Sequence, residues 1–231
     1  MDKSRAFAAP KAVLFDAYGT LFDVYSVGLL AEQLFPGQGQ AISLLWRDKQ
    51  IEYTRLVTMS RGAPYQPFWA LTQAALRYTC QKLGLSLSPE AESQLMNQYR
   101  HLSAFPENHG VLQALKSRGV VTGILSNGDP EMLGIAVRSA GLDELLDHVI
   151  SVDSVQQYKT SPQAYALGEA ATGLKAEQIG FVSCNSWDAL GATWFGYQTL
   201  WVNRQGLPFE TLGTQPYRTG TSLRDVLSLF A

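Results

Sequence analysis

Residues 11–23 read KAVLFDAYGTLFD. The apolar run Ala12–Phe15 ends on a single acid, Asp16, and is followed by a loop containing Tyr18, Gly19 and Thr20. Four apolar residues closed by a glycine-containing loop read as a strand buried on both faces. A carboxylate at the end of such a strand, with no cation beside it in sequence, is costly unless the fold brings it a partner. Lys159 is the candidate partner.

Working outward, further β-rich runs fall at 120–125, 148–152, 179–182 and 199–202. Helix-like segments lie between and after them, at 110–118, 130–140, 162–171, 189–194 and 222–230. Strands alternating with helices predict an α/β chain with a Rossmann-like, doubly wound parallel sheet. The alternation breaks over 24–104, which reads as helical throughout. There AISLLWRDKQIEYTRLV puts Ile42, Leu45, Trp46, Tyr53, Leu56 and Val57 on one stripe, and Ser88-Pro89 opens a helix with acids in its first turn. Residues 1–23 and 105–231 therefore form the expected core domain. Residues 24–104 form an inserted all-helical cap domain over the carboxyl ends of the strands, where ligands of open α/β sheets bind.

Bulk composition excludes other classes. Apolar residues are 46% and charged residues 16%, with a net charge of −2, a globular balance with no basic footprint for nucleic acid or acidic lipid. The two cysteines, Cys80 and Cys184, share no metal or redox spacing and fit a reducing cytoplasm. The segment MDKSRAFAAPK has no apolar core of a secretory signal and reads as a loose extension. No apolar run approaches the ~20 residues that span a bilayer.

Each strand end carries polar groups: Asp16 and Thr20, then Ser126 and Asn127, then Lys159, then Ser183, Asn185 and Asp188. Several such ends on one rim read as a site. Each residue also has a plainer reading. Thr20 is a turn residue, Ser126 and Asn127 cap the helix after Pro130, Asp188 caps the next helix, and Lys159 and Arg47 are solvated. Asp16 has the weakest alternative.

At these residues the chain resembles the haloacid dehalogenase superfamily. LFDAYGTLFD, ILSNG, Lys159 and FVSCNSWD match its four motifs in order. Phosphatases of that superfamily carry an acid where this chain has Tyr18, and a paired acid for magnesium where it has Asn185. Within the superfamily, LWRDKQIEYTRL and SCNSWDALGATWFG resemble the L-2-haloacid dehalogenases. This resemblance implies hydrolysis of short L-2-haloalkanoic acids to D-2-hydroxy acids through an aspartyl ester, extending to haloacetates, with no cofactor or metal and a homodimeric assembly. Asp16 is the implied nucleophile, with Thr20 and the backbone from Ala17 holding its carboxylate, Lys159 offsetting its charge and Ser126 positioning it or the substrate carboxylate. Asp188, Ser183, Asn185 and Tyr165 are implied to activate water. Arg47, Asn127 and Trp187 are implied to hold halide, with Tyr18, Leu44, Ile51, Phe68 and Trp187 as apolar walls. Arg47 shares a helix side with Leu44 and Ile51, away from the Ile42/Trp46/Tyr53 stripe. Two rivals stand beside this reading: a magnesium-dependent phosphatase of the same superfamily and a non-catalytic small-molecule binding protein on the same scaffold. Asp48, Thr160 and the slightly long stretch SRGAPYQPFW depart from the subfamily pattern.

Overall fold

The computed structural model describes residues 8–230. The expected N-terminal extension lies, up to residue 7, outside the described residues. Strand β1 (Ala12–Phe15) is the centre of the architecture. Its four side chains are fully buried, and each large apolar one contributes about 1.5–3 kcal/mol of burial. It pairs in parallel with β2 (Val121–Ser126) on one side and β4 (Ile179–Ser183) on the other. With β3 (His148–Ser151), β5 (Gln198–Val202) and β6 (Arg218–Gly220), these form one parallel sheet of order β3-β2-β1-β4-β5-β6. This is the doubly wound order, and its direction reverses between β1 and β4, where a crevice opens at the carboxyl ends.

The helices α5 (Asn108–Lys116), α6 (Pro130–Ser139), α7 (Pro162–Thr172) and α8 (Ser186–Phe195) alternate with the strands after the first. Four helices precede them between β1 and α5: α1 (Val27–Leu34), α2 (Gly39–Met59), α3 (Phe68–Lys82) and α4 (Pro89–Arg100). The chain leaves and re-enters the α/β layer side by side, joined by an antiparallel bridge between Phe22 and Ala104. Ser88 caps α4 by accepting the Ala91 N–H, with Pro89 at the first helical position, as the sequence predicts.

Three local expectations are corrected. Strand β6 was not expected, because Arg218-Thr219-Gly220 is short, polar and on an open edge. The terminal segment Leu223–Phe230 winds as a 3-10 helix, burying Leu223, Val226 and Leu229 at every third position. On α2, Ile42 and Trp46 are buried, but Leu56 is exposed, being turned about 80° around the helix from Trp46.

Candidate active site

The Asp16 carboxylate sits just beyond β1, and its own N–H is still bonded to the Val182 carbonyl. Gly19 then takes φ of +98°, which turns the loop back under Asn185 and which only glycine adopts cheaply. Thr20 Oγ1 donates to Asp16 Oδ2 at 3.0 Å and accepts the Cys184 N–H, tying the β1 and β4 loops together. Asn185 Nδ2 donates to the same Oδ2 at 2.8 Å. Lys159 Nζ donates to Asp16 Oδ1 at 3.1 Å and to Asp188 Oδ2 at 3.0 Å, with its side chain fully shielded from solvent. An ammonium between two carboxylates is the compensation a buried strand-end acid requires.

Lys159 is set by main chain as well as by charge. Its N–H donates to Asn127 Oδ1 at 2.9 Å, which leaves the Nδ2 end of Asn127 as the donor end. Ser126, by contrast, turns inward on its own loop and accepts the Gly128 N–H. The capping role considered for Ser126 and Asn127 belongs to Asp129, which accepts the Met132 N–H. Asp129 Oδ2 also accepts the Trp69 N–H, and Tyr65 donates to Asp153. Residues 60–69, the stretch that departs from the subfamily pattern, are thereby fastened to the α/β layer.

Asp188 lies in the first turn of α8 and is fully buried rather than capping the helix from outside. Tyr165 on α7 donates to its Oδ1 at 2.8 Å. That contact depends on Gly191, where a Cβ would lie 2.6 Å from the Tyr165 hydroxyl oxygen. Burial pushes the Asp188 carboxyl up to about 6, against the pull of Lys159 and Tyr165, which favour its charged form. Ser183 Oγ accepts the Asn185 N–H and so holds the loop carrying both Asn185 and Asp188.

The insert contributes Arg47. Its side chain is buried against the α/β layer, with Nη2 donating to the Tyr18 carbonyl at 2.8 Å and to Asn185 Oδ1 at 3.3 Å. Among the described residues every acceptor on this guanidinium is neutral: Tyr18 O, Asn185 Oδ1 and Gln50 Oε1. A buried cation without a carboxylate is an anion site in waiting. Arg47 and Asn185 also line a cleft of about 740 Å³, together with Ile51, Arg55, Trp187 and Trp201. Asp48 opens on the same cleft.

The remaining wall residues divide. Tyr18 is buried, its ring packed on Phe22, Phe68 and Tyr99, and burial drives its hydroxyl well above the usual phenol range. Phe68 is buried between Tyr18 and Tyr158. Ala17 is buried and its carbonyl accepts the N–H groups of Leu21 and Phe22, closing the loop. Leu44 is corrected: it is 47% exposed and lies off the cleft. Arg47 and Ile51 share an i,i+4 row, whereas a residue three back is turned about 60° around the helix.

Gln50, Thr72 and Tyr99 were missed by sequence reasoning. The available signal was Gln50 itself, a polar side chain four residues past Trp46 in an otherwise buried row.

Comparison with known proteins identifies the family. The model of the haloacid dehalogenase-like hydrolase family matches residues 10–196. The chain belongs to that family. It is 47% identical to an (S)-2-haloacid dehalogenase of Pseudomonas sp. strain YL, over 95% of this chain and 94% of that one. A crystal structure of an L-2-haloacid dehalogenase superposes with a TM-score of 0.94 at 56% identity, covering 96% of this chain and 99% of the other. The L-2-haloacid dehalogenase of Xanthobacter autotrophicus with chloropropionic acid covalently bound superposes with a TM-score of 0.86 at 35% identity, covering 95% and 98%. The residues gathered here come from the loops after β1, β2, β3 and β4, joined by Arg47 from α2 and Tyr165 from α7. Among the described residues no helix is long and apolar enough to cross a membrane.

Proposed function

We propose that this chain is an (S)-2-haloacid dehalogenase, a hydrolase that converts short L-2-haloalkanoic acids to D-2-hydroxy acids. One observation carries the reading: Asp16, held by Thr20, Asn185 and Lys159, shares its Asn185 partner with Arg47, a buried cation whose acceptors are all neutral. Nucleophile and anion site thus adjoin through one amide.

In the first step an Asp16 oxygen attacks carbon 2 from the face opposite the halogen. The C–O bond forms as the C–X bond breaks, halide leaves with the bonding pair, and carbon 2 inverts. Halide needs no proton, which fits a buried tyrosine rather than an acid at position 18. Arg47, Asn127 Nδ2 and the Trp187 edge receive the halide, with Ile51 and the Tyr18–Phe68 pair as apolar walls. In the second step water attacks the ester carbonyl of Asp16 and gives one proton to Asp188. The acyl C–O bond then breaks, and the product alkoxide leaves and takes a proton from Asp188. Asp16 returns to carboxylate as water's other proton passes to solvent, so the inversion at carbon 2 is kept. Lys159 balances charge in both steps.

Asn185 supports this over a magnesium phosphatase, because its amide turns a donor, not a ligand oxygen, toward Asp16. The insert 24–104 is read as a cap domain on the core 1–23 and 105–231, the assembly as a homodimer, and the location as cytoplasmic, consistent with the free Cys80 and Cys184. Haloacetates fall within the proposed range. The test is halide release after chelation from fluoro-, chloro- and bromoacetate and both enantiomers of 2-chloropropionate. Release from the S enantiomer, giving D-lactate, is expected. Magnesium-dependent turnover of phosphomonoesters with no halide release would overturn the proposal.

A further inference from the structure

We propose that Gln50 is a positioning residue for Arg47, and that its being an amide rather than an acid keeps the guanidinium charge available to an anion. The inference rests on the assignment of Arg47 to the halide.

Gln50 is fully buried one turn beyond Arg47 on α2. Its Oε1 accepts from Arg47 Nη1 at 2.8 Å and from the Tyr99 hydroxyl of α4 at 3.0 Å. Its Nε2 donates to Thr72 Oγ1 of α3 at 2.6 Å. Thr72 spends its one proton on the Phe68 carbonyl at 2.7 Å, and a carbonyl only accepts. Thr72 Oγ1 must therefore receive a proton from Gln50, which fixes the amide with its oxygen toward Arg47. Three helices of the insert are bound into setting one guanidinium nitrogen, while the other nitrogen reaches Tyr18 O and Asn185.

The chemical choice at position 50 matters as much as the geometry. A carboxylate there would accept from Arg47 equally well but would pair its charge, in a place shielded from water. An anion arriving beside Arg47 would then meet a neutral pair. The titratable neighbours of this network are Tyr99 from α4 and Tyr18 and Asp16 from the loop after β1.

The test compares Gln50→Glu, Gln50→Met and Thr72→Val with the parent enzyme. It measures product inhibition by chloride and bromide, kcat and KM for (S)-2-chloropropionate across pH, and thermal melting. Gln50→Glu is expected to weaken halide inhibition by about tenfold or more. Its activity should also fall as pH rises through titration of the introduced carboxyl, a limb the parent lacks. Gln50→Met should weaken halide inhibition without that limb. Thr72→Val, which frees only the far end of the amide, should move halide inhibition the same way by less and serves if the position-50 variants fold poorly. Unchanged halide inhibition in all three overturns the proposal, as does equal loss of activity in Gln50→Glu and Gln50→Met with no new limb. Arg47→Lys separates the two levels. If it leaves halide inhibition untouched, the assignment of Arg47 falls and this inference with it. If it weakens halide inhibition while the Gln50 and Thr72 variants do not, only the positioning role falls.

Discussion

The Tyr165 hydroxyl donates to Asp188 Oδ1 at 2.8 Å inside a fully buried pocket. Burial raises the Asp188 carboxyl to about 6, and the tyrosine hydrogen bond opposes that rise. Acting as base, Asp188 must be ionised, so activity should fall as pH drops through about 6. Tyr165→Phe removes a bond to the charged form, and the acidic limb of kcat should move to higher pH. A pH–rate profile of both proteins checks this; an unmoved limb would mean that another group sets it. For stability the sign is opposite. A carboxyl raised by folding contributes most below its unfolded value, and that contribution is lost as pH rises through the folded one.

Asp188→Asn should form the Asp16 ester but hydrolyse it slowly. Intact-protein and peptide mass spectrometry after mixing with (S)-2-chloropropionate should find the adduct on the peptide containing Asp16. An adduct elsewhere, or full turnover by Asp16→Asn, would remove Asp16 as nucleophile.

Arg47→Ala should lower kcat/KM by roughly 10- to 100-fold, the loss of one charge-assisted contact. Stability should change by less than about 1 kcal/mol. The reason is that the two buried acceptors keep a donor, the Tyr18 carbonyl from Asn185 Nδ2 and Gln50 Oε1 from Tyr99, while Asn185 Oδ1, which does lose its bond, belongs to a half-buried residue on the cleft. Equal losses of melting temperature and of halide release would show a structural role instead.

Lys159→Met removes the cation between Asp16 and Asp188. Activity should be lost, and stability near neutral pH should fall by roughly 3–5 kcal/mol because two carboxylates then face each other unpaired. The deficit relative to the parent should shrink in acid as those carboxylates protonate. Melting curves at several pH values measure it.

Tyr18→Phe keeps the ring packed on Phe68 and Tyr99 and removes only the hydroxyl. If the leaving group takes no proton, turnover should stay within about threefold of the parent, well under the 10²–10⁴-fold that general acid catalysis supplies. A drop of that larger size would make Tyr18 an acid and reopen the question of the leaving group.

The parts of this molecule legible in the sequence are those fixed by short-range pattern. Asp16 closes an apolar run, and the strand-end groups Asn127, Lys159, Asn185 and Asp188 follow from the same rule applied to later strands. Edge strand β6 escaped because three polar residues carry no alternation. The Arg47 network escaped for a different reason. Gln50, Thr72 and Tyr99 lie on three helices, and only their packing shows that one amide joins them. Leu44 was misjudged because helix spacing gives a side but not which neighbours cover it.

The register of β1 has a consequence for which changes the molecule tolerates. Phe15 pairs with Ile124 on one side and Val182 on the other, so the main chain alone sets the level at which Asp16 emerges. Apolar replacements along Ala12–Phe15 alter packing yet leave the nucleophile at its address. Adding or deleting one residue there sends the carboxylate to the opposite face of the sheet, away from Lys159 and Asn185. At this strand, spelling is negotiable and length is not.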